Sequence, residues 1–420
     1  MRFLTATALL SSLAAPAISA TEAEVMTTYT DLAAAGYGDS LNAARDLQTA
    51  IAAFIEEPSA EGQHRAKDAW LAARVSYQQT EAFRFANPIV DDWEGRVNSW
   101  PLDEGFIDYV DASGTAPTEG TDENPSANLD VIANPVLTVA GAEIDASDIT
   151  PALLRDSLHE ADGAEANVAT GYHAIEFLLW GQDLGPYDPE AGQRPWTDYA
   201  SGADCTGGNC DRRGAYLLAA AELLVSDLEE MAAAWSESGE ARADAVGDPN
   251  GAARILAGLG SLSYGELGGE RTQLGLLLND PEEEQDCFSD NTHNSHFYDG
   301  LGIRNVYLGR YVGRDGTVTE GPSVSDMVAE ADPAVDAALR GALDATMMRL
   351  TELKVAAEAG MPYDTMLDPS NAAGGVLIQA VVDGLKAQTR EIERAVAALG
   401  RDPVTIEGSD SLDDPDAVFE

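Results

Sequence analysis

The chain has 420 residues, with 73 Asp and Glu against 24 Lys and Arg, for a formal charge of −49. Binding to nucleic acid or to anionic lipid needs clustered cations, so this composition excludes both as partners. The length exceeds what one small core needs and predicts two domains.

The first twenty residues, MRFLTATALLSSLAAPAISA, place Arg2 ahead of a short apolar stretch from Leu4 to Leu13, then Pro16 and a small residue, Ala20. That order predicts a secretory signal peptide, too short for a membrane span. No cysteine follows the expected cut, so no lipid anchor is expected and the mature chain should be soluble and exported. The acidity reads as a solvated surface suited to salty surroundings. A field that gathers cations near a binding site is the sharper alternative.

Residues 39 to 57 repeat Leu41, Ala44, Leu47, Ile51 and Phe54 at helical spacing, and Pro58 ends the pattern. A second helix is predicted over 62 to 84. Residues 87 to 110 are aromatic-rich, broken by Pro88 and Pro101, and read as short helices and ordered loops. Residues 111 to 148 carry turn formers and predict a long connection, with a short ribbon over 136 to 139. Thr150 or Asp148 with Pro151 marks a helix start. A helix centred on residue 175 follows, ending near Gly181, and 182 to 212 is a second polar loop.

A helix is predicted over about 213 to 237, and residues 236 to 251 form the best compositional boundary. Residues 251 to 279 look helical but hold Gly258, Gly260, Gly265, Gly268 and Gly269, which predicts close backbone packing or a break. Long amphipathic helices are predicted over 324 to 358 and 371 to 399. The resulting layout is a signal peptide (1–20), an N-terminal bundle (21–238), a C-terminal bundle (250–401) and a mobile acidic tail (402–420). The class is all-α, two helical bundles compatible with a duplication.

Three polar clusters interrupt this frame. In GYHAIEFLLWG, residues 171 to 181, His173 and Glu176 are the ionisable pair in an apolar run. Three apart on a helix, they share a face and can reach each other or one ligand. A buried carboxylate needs a metal, a cation or a retained proton to offset its charge. The bland alternative is a structural His–Glu pair with Arg84 or Arg213 beside it. The second cluster, TEAFRF with WPLDEGFID, supplies Glu81, Arg84, Asp103 and Glu104, with a helix cap as the default role of Asp103. The third, CFSDNTHNSHFYD, concentrates Ser289, Asp290, Asn291, Thr292, His293 and His296, for which a polar turn is the default. His and carboxylate donors suit zinc, iron or copper. The chain has no H-E-x-x-H and no inverted form of it, so the usual zinc-hydrolase constellation is missing. Cys205 and Cys210 flank TGGN and predict a local disulfide, a zinc site being the weaker reading. Cys287 is left over as a buried thiol.

With G-Y-H-A-I-E, TEAFRF, WPLDEGFID, CFSDNTH and GIRNVYLGRY in this order, the chain resembles the imelysin-like family. These are bacterial envelope proteins, once classed as insulin-cleaving metallopeptidases, that include iron-regulated members. CFSDNTH and the Cys205–Cys210 loop look closest to the iron-regulated branch. The resemblance spans essentially the whole mature chain. It implies an all-helical, two-bundle fold and a site between the halves. Gly171, His173 and Glu176 match its G-x-H-x-x-E motif, and the segment with Phe288, Ser289 and Thr292 would line the same site.

The expectation is therefore an exported, periplasmic or envelope protein that binds a metal ion or chelate and is linked to iron uptake. His173 and Glu176 would be ligands, completed or supported by Glu81, Asp103, Asp290 and His293, with Gly171, Arg84, Glu104, Phe288, Ser289 and Thr292 around them. Iron is the first choice of metal, with zinc or copper as alternatives, and an envelope uptake protein is the expected partner. Affinity would fall below about pH 6 as histidine protonates. The alternatives are a metal-dependent peptidase with Glu176 or Glu81 as base, and a peptide- or protein-binding module in which the His–Glu pair is structural.

Overall fold

The structure, a computed structural model, describes residues 20–114, 116–117, 119–121, 124–185 and 187–419. The predicted signal peptide lies almost wholly outside these residues.

The first half of the chain builds α1 (Glu22–Glu56), α2 (Ala60–Gln78) and α3 (Pro88–Asn98), then the single turns α4 (Glu104–Ile107) and α5 (Pro151–Leu153), then α6 (Gly171–Trp180) and α7 (Cys210–Ala234). Thr21 caps α1 in a reciprocal box with Glu24, and Ser59 caps α2 by accepting from the Gly62 amide. The predicted ribbon is a two-stranded hairpin, β1 (Val136–Val139) against β2 (Ala142–Asp145). α1, α2 and α7 pack side by side, and α6 lies against α2, α3 and α7.

The second half contains α8 (Glu240–Gly247), α9 (Gly251–Ser261), a π-helical stretch (Leu262–Gln273) and α10 (Leu274–Leu278), followed by α11 (Thr292–Leu308). A hairpin of β3 (Arg310–Val312) and β4 (Val318–Glu320) leads to α12 (Val324–Ala331), α13 (Pro333–Glu358), α14 (Tyr363–Leu367), α15 (Ala372–Ala398) and α16 (Asp410–Asp413). The core pairing is α13 with α15, closed by the π-helical stretch and α11.

The fold is all-α. Its buried apolar side chains run without interruption through elements of both halves. α1 reaches across to α9 and the β3–β4 hairpin, and α11 packs on α2. Among the described residues no helix is long and apolar enough to cross a membrane.

Three expectations are corrected. α1 begins at Glu22 rather than 39, because one of its two glycines, Gly36, is a packing position: it is buried, and a Cβ there would meet the Thr80 methyl at 3.0 Å. The helix predicted over 324 to 358 is broken between α12 and α13, where Asp332 caps and Pro333 starts the new helix. The acidic tail is packed, not mobile. Ser411 donates to the Gly269 carbonyl at 3.0 Å, and Tyr264 donates to Asp413 at 2.8 Å. The glycines predicted to break the helix near 265 explain this docking: Cβ atoms at Gly265 and Gly269 would collide with the Glu407 carbonyl and the Ser409 side chain.

Candidate metal centre

Every side chain of α6 is buried, so its two ionisable groups lie away from water. The helix is fixed in depth by backbone contacts. Trp70 donates to the Tyr172 carbonyl at 2.9 Å, and Gln63 donates to the Leu179 carbonyl at 3.0 Å. Gly171 opens the helix at φ +82°, and a Cβ there would lie 2.5 Å from the Val97 carbonyl oxygen. Only glycine satisfies both constraints, so the first residue of the motif sets the approach of α6 to α3.

His173 Nδ1 lies 3.0 Å from Glu176 Oε2, and 3.9 Å from Asp286 Oδ1. The three offer ligand atoms all within 4.8 Å of one another, and each residue is buried. Ser289 donates its amide at 3.0 Å and its hydroxyl at 2.6 Å to Glu176 Oε1. Asp286 accepts from Arg74 at 2.8 Å, and from Asn291 at 2.8 Å. Its amide donates to Thr292 Oγ1 at 2.8 Å, which curls the segment into the first turn of α11. Arg74 is itself sandwiched among the rings of Trp70, Tyr77 and Tyr172 and donates to Asn98 at 2.6 Å.

The electrostatics follow from this packing. Burial, then the Arg74 cation, push His173 down to about 3, so its imidazole is neutral over the ordinary pH range. Burial, then the Asp286 carboxylate, hold Glu176 well above the carboxylate range despite the Ser289 donors. Asp286 stays below that range: burial opposes its charge, but Arg74 and its other donors outweigh burial. The pair on α6 is thus neutral with a proton available between Nδ1 and Oε2, while Asp286 and Arg74 form a buried ion pair. Among the described residues, His173 Nε2 has no hydrogen-bond partner.

Several residues expected at this centre are committed elsewhere. Glu81 accepts from Arg271 at 2.7 Å, and Arg271 also holds Asp299 at 2.9 Å. Arg84 pairs with Asp91 at 2.9 Å and lies 3.4 Å from Glu94, and Arg213 binds Asp108. The cation beside the pair is Arg74. Asp103 occupies the cap position of α4, but its carboxylate accepts from Asn124. His293 turns Nε2 toward the Asn294 amide at 2.9 Å, and burial with Lys354 pushes it down to about 4. Phe288 packs on Phe177 with ring centroids 5.2 Å apart. Cys205 and Cys210 are joined by a disulfide, and Cys287 is half-buried and free.

Asp290 follows Ser289 yet faces a different group, with Asp183 and Asp364. Burial and the neighbouring acids raise Asp290 to about 8, Asp364 to about 7 and Asp183 to about 6. Glu104, raised to about 8 by burial and Glu282, lines a small cavity with Asp183, Glu284 and Asp364.

Sequence reasoning missed Arg74 and Asp286. The signal at Asp286 was its position one residue before the CFSDNTH block. Arg74 carried none, since an arginine on an amphipathic helix ordinarily reaches water.

The imelysin family model matches residues 33–392. A short stretch is 32% identical over 60 residues to "Iron-regulated protein A" of Synechococcus elongatus, covering 14% of this chain and 17% of that protein. The chain therefore matches less than a fifth of that relative's length. Two crystal structures share the fold. One is a candidate iron-regulated protein A precursor from Parabacteroides distasonis, with a TM-score of 0.59 and 18% identity over 91% of this chain and 97% of that one. The other is an imelysin-like protein from Psychrobacter arcticum, with a TM-score of 0.51 and 15% identity over 92% and 98%. With a match running from 33 to 392 and the same helical architecture, this chain belongs to the imelysin family.

Proposed function

We propose that this protein is exported to the periplasm or envelope and binds a metal ion in an iron-linked role, with His173, Glu176 and Asp286 as ligands. The carrying observation is the buried triad itself. One imidazole and two carboxylates from separate parts of the chain offer donors within 4.8 Å of one another. That donor set fits iron, and also zinc or copper. The relatives named for iron regulation support the iron-linked part of the reading. His173 and Glu176 come from the 21–238 bundle and Asp286 from the 250–401 bundle, so the site would lie between two domains divided near 238–250.

Arg74 limits the charge the site offers. It neutralises Asp286, so with Glu176 ionised the triad and Arg74 together carry a net single negative charge. This favours a second form of the reading, in which a chelate brings further ligands of its own. Elemental analysis and calorimetric titration of the mature protein test the proposal, against a His173→Ala/Glu176→Ala variant of equal foldedness. Stoichiometric iron, zinc or copper in the wild type that is lost in the variant is expected. Identical metal content in the two proteins would overturn it.

A further inference from the structure

We propose that Asp183, Asp290 and Asp364 form a second cation site, separate from the His173 centre, for a hard, oxygen-seeking divalent ion of the calcium class. The three carboxylates come from three distant segments: the loop after α6, the turn before α11, and α14. They converge with oxygens within 4.8 Å of one another. All the donors are carboxylate oxygens, with neither nitrogen nor sulfur among them, which suits calcium, magnesium or manganese over zinc or copper.

Convergence of acids alone would not define a site. The second observation is the state of the carboxylates buried behind it. Asp364 is 1% exposed, and neither of its oxygens has a well-formed hydrogen bond. Glu284 is fully buried beside it, lining the same small cavity with Asp183 and Asp364, and both of its oxygens are equally unpartnered. Asp290 Oδ1 is unpartnered as well. Thr365 and Thr292 ease the charge of Asp364 and Glu284 without forming proper hydrogen bonds. Buried polar atoms are nearly always satisfied, so the four unpartnered oxygens of Asp364 and Glu284, both lining one cavity, point to a cation as their partner. Among the described residues, no Arg or Lys lines that cavity.

The site is also reachable. Asp183 and Asp290 are half-buried, so two of its three carboxylates are not sealed from solvent. Asp290 holds a left-handed backbone, φ +54°, which an aspartate tolerates better than most residues.

The test is calcium titration of the mature chain, followed by calorimetry and by thermal unfolding in chelator and in excess calcium. The wild type should bind one calcium and unfold a few degrees higher with it. Asp183→Asn/Asp364→Asn should lose the binding and the shift. Because that variant removes mutual repulsion, it should fold at least as stably in chelator as the wild type. An exposed control, Asp402→Asn, should keep the calcium response. Absence of a calcium or manganese response in the wild type would overturn the proposal, and so would an equal response in the double variant. Retention of the calcium response in His173→Ala separates this site from the first. Its loss there, with the fold intact, would also overturn the claim of a separate site.

Discussion

Arg74 Nη2 donates at 2.8 Å to Asp286 Oδ1, the same oxygen that lies 3.9 Å from His173 Nδ1. One carboxylate therefore serves a fixed cation and the candidate metal centre together. Arg74→Met should strand Asp286 as a buried charge and cost about 3–5 kcal/mol, whereas adding Asp286→Asn should recover much of that loss. Urea unfolding of the two single variants and the double variant gives the coupling directly. Additive losses would show that the pair is not a unit.

Metal binding should release protons. In the metal-free protein Glu176 retains its proton, since burial and Asp286 hold it well above the usual carboxylate range. Ligation needs the anion, so affinity should rise with pH until Glu176 ionises unaided. His173 stays neutral down to about 3, which replaces the sequence-based expectation of a histidine-driven loss near pH 6. Calorimetry in buffers of different ionisation enthalpy measures the proton count. Glu176→Gln should abolish the release.

Asp108 makes stability acid-sensitive. Burial opposes its charge, but Arg194 at 2.6 Å and Arg213 at 2.6 Å outweigh it and hold the carboxyl below its ordinary value. A depressed carboxyl adds stability that is complete above its unfolded value and is lost as pH falls through its folded value. Asp108→Asn should therefore cost about 3 kcal/mol or more near neutrality. Its cost should shrink in acid, as pH falls through the depressed folded value and the wild-type carboxyl also protonates. Chemical unfolding at the two pH values checks the sign.

Gly171→Ala should destabilise by at least about 2 kcal/mol, combining the left-handed backbone penalty with a collision at the Val97 carbonyl. Gly316→Ala, also at positive φ but with open space around it, should cost less. Thermal unfolding compares the two. Equal losses would remove the steric part of the argument.

The all-α class and most helix positions were legible because apolar spacing and Pro breaks are local signals. The glycines near 265 announced close packing, and the tail that supplies it lies beyond residue 400, out of reach of any local pattern. Two strands, β3 and β4, were missed although Asp315–Gly316 marks their turn, because each spans only three residues. At the candidate centre, His173 and Glu176 were legible as charges in an apolar run. Glu81 and His293 looked equally suitable on residue type. Glu81 is held away by Arg271, a long-range partner that no spacing reveals, while His293 turns to its neighbour Asn294.

Two arginines bridge the halves in opposite directions: Arg74 reaches Asp286, and Arg271 reaches back to Glu81. They act as a pair of crossed latches: prising the halves apart would strand Arg74 and Asp286 as buried charges, whereas Arg271 would keep Asp299 and lose only Glu81. If the centre holds a metal as proposed, loading and unloading would then proceed by local breathing of the 287–291 turn. Amide exchange at Ser289 should accordingly outrun exchange within α6, with the latches closed throughout.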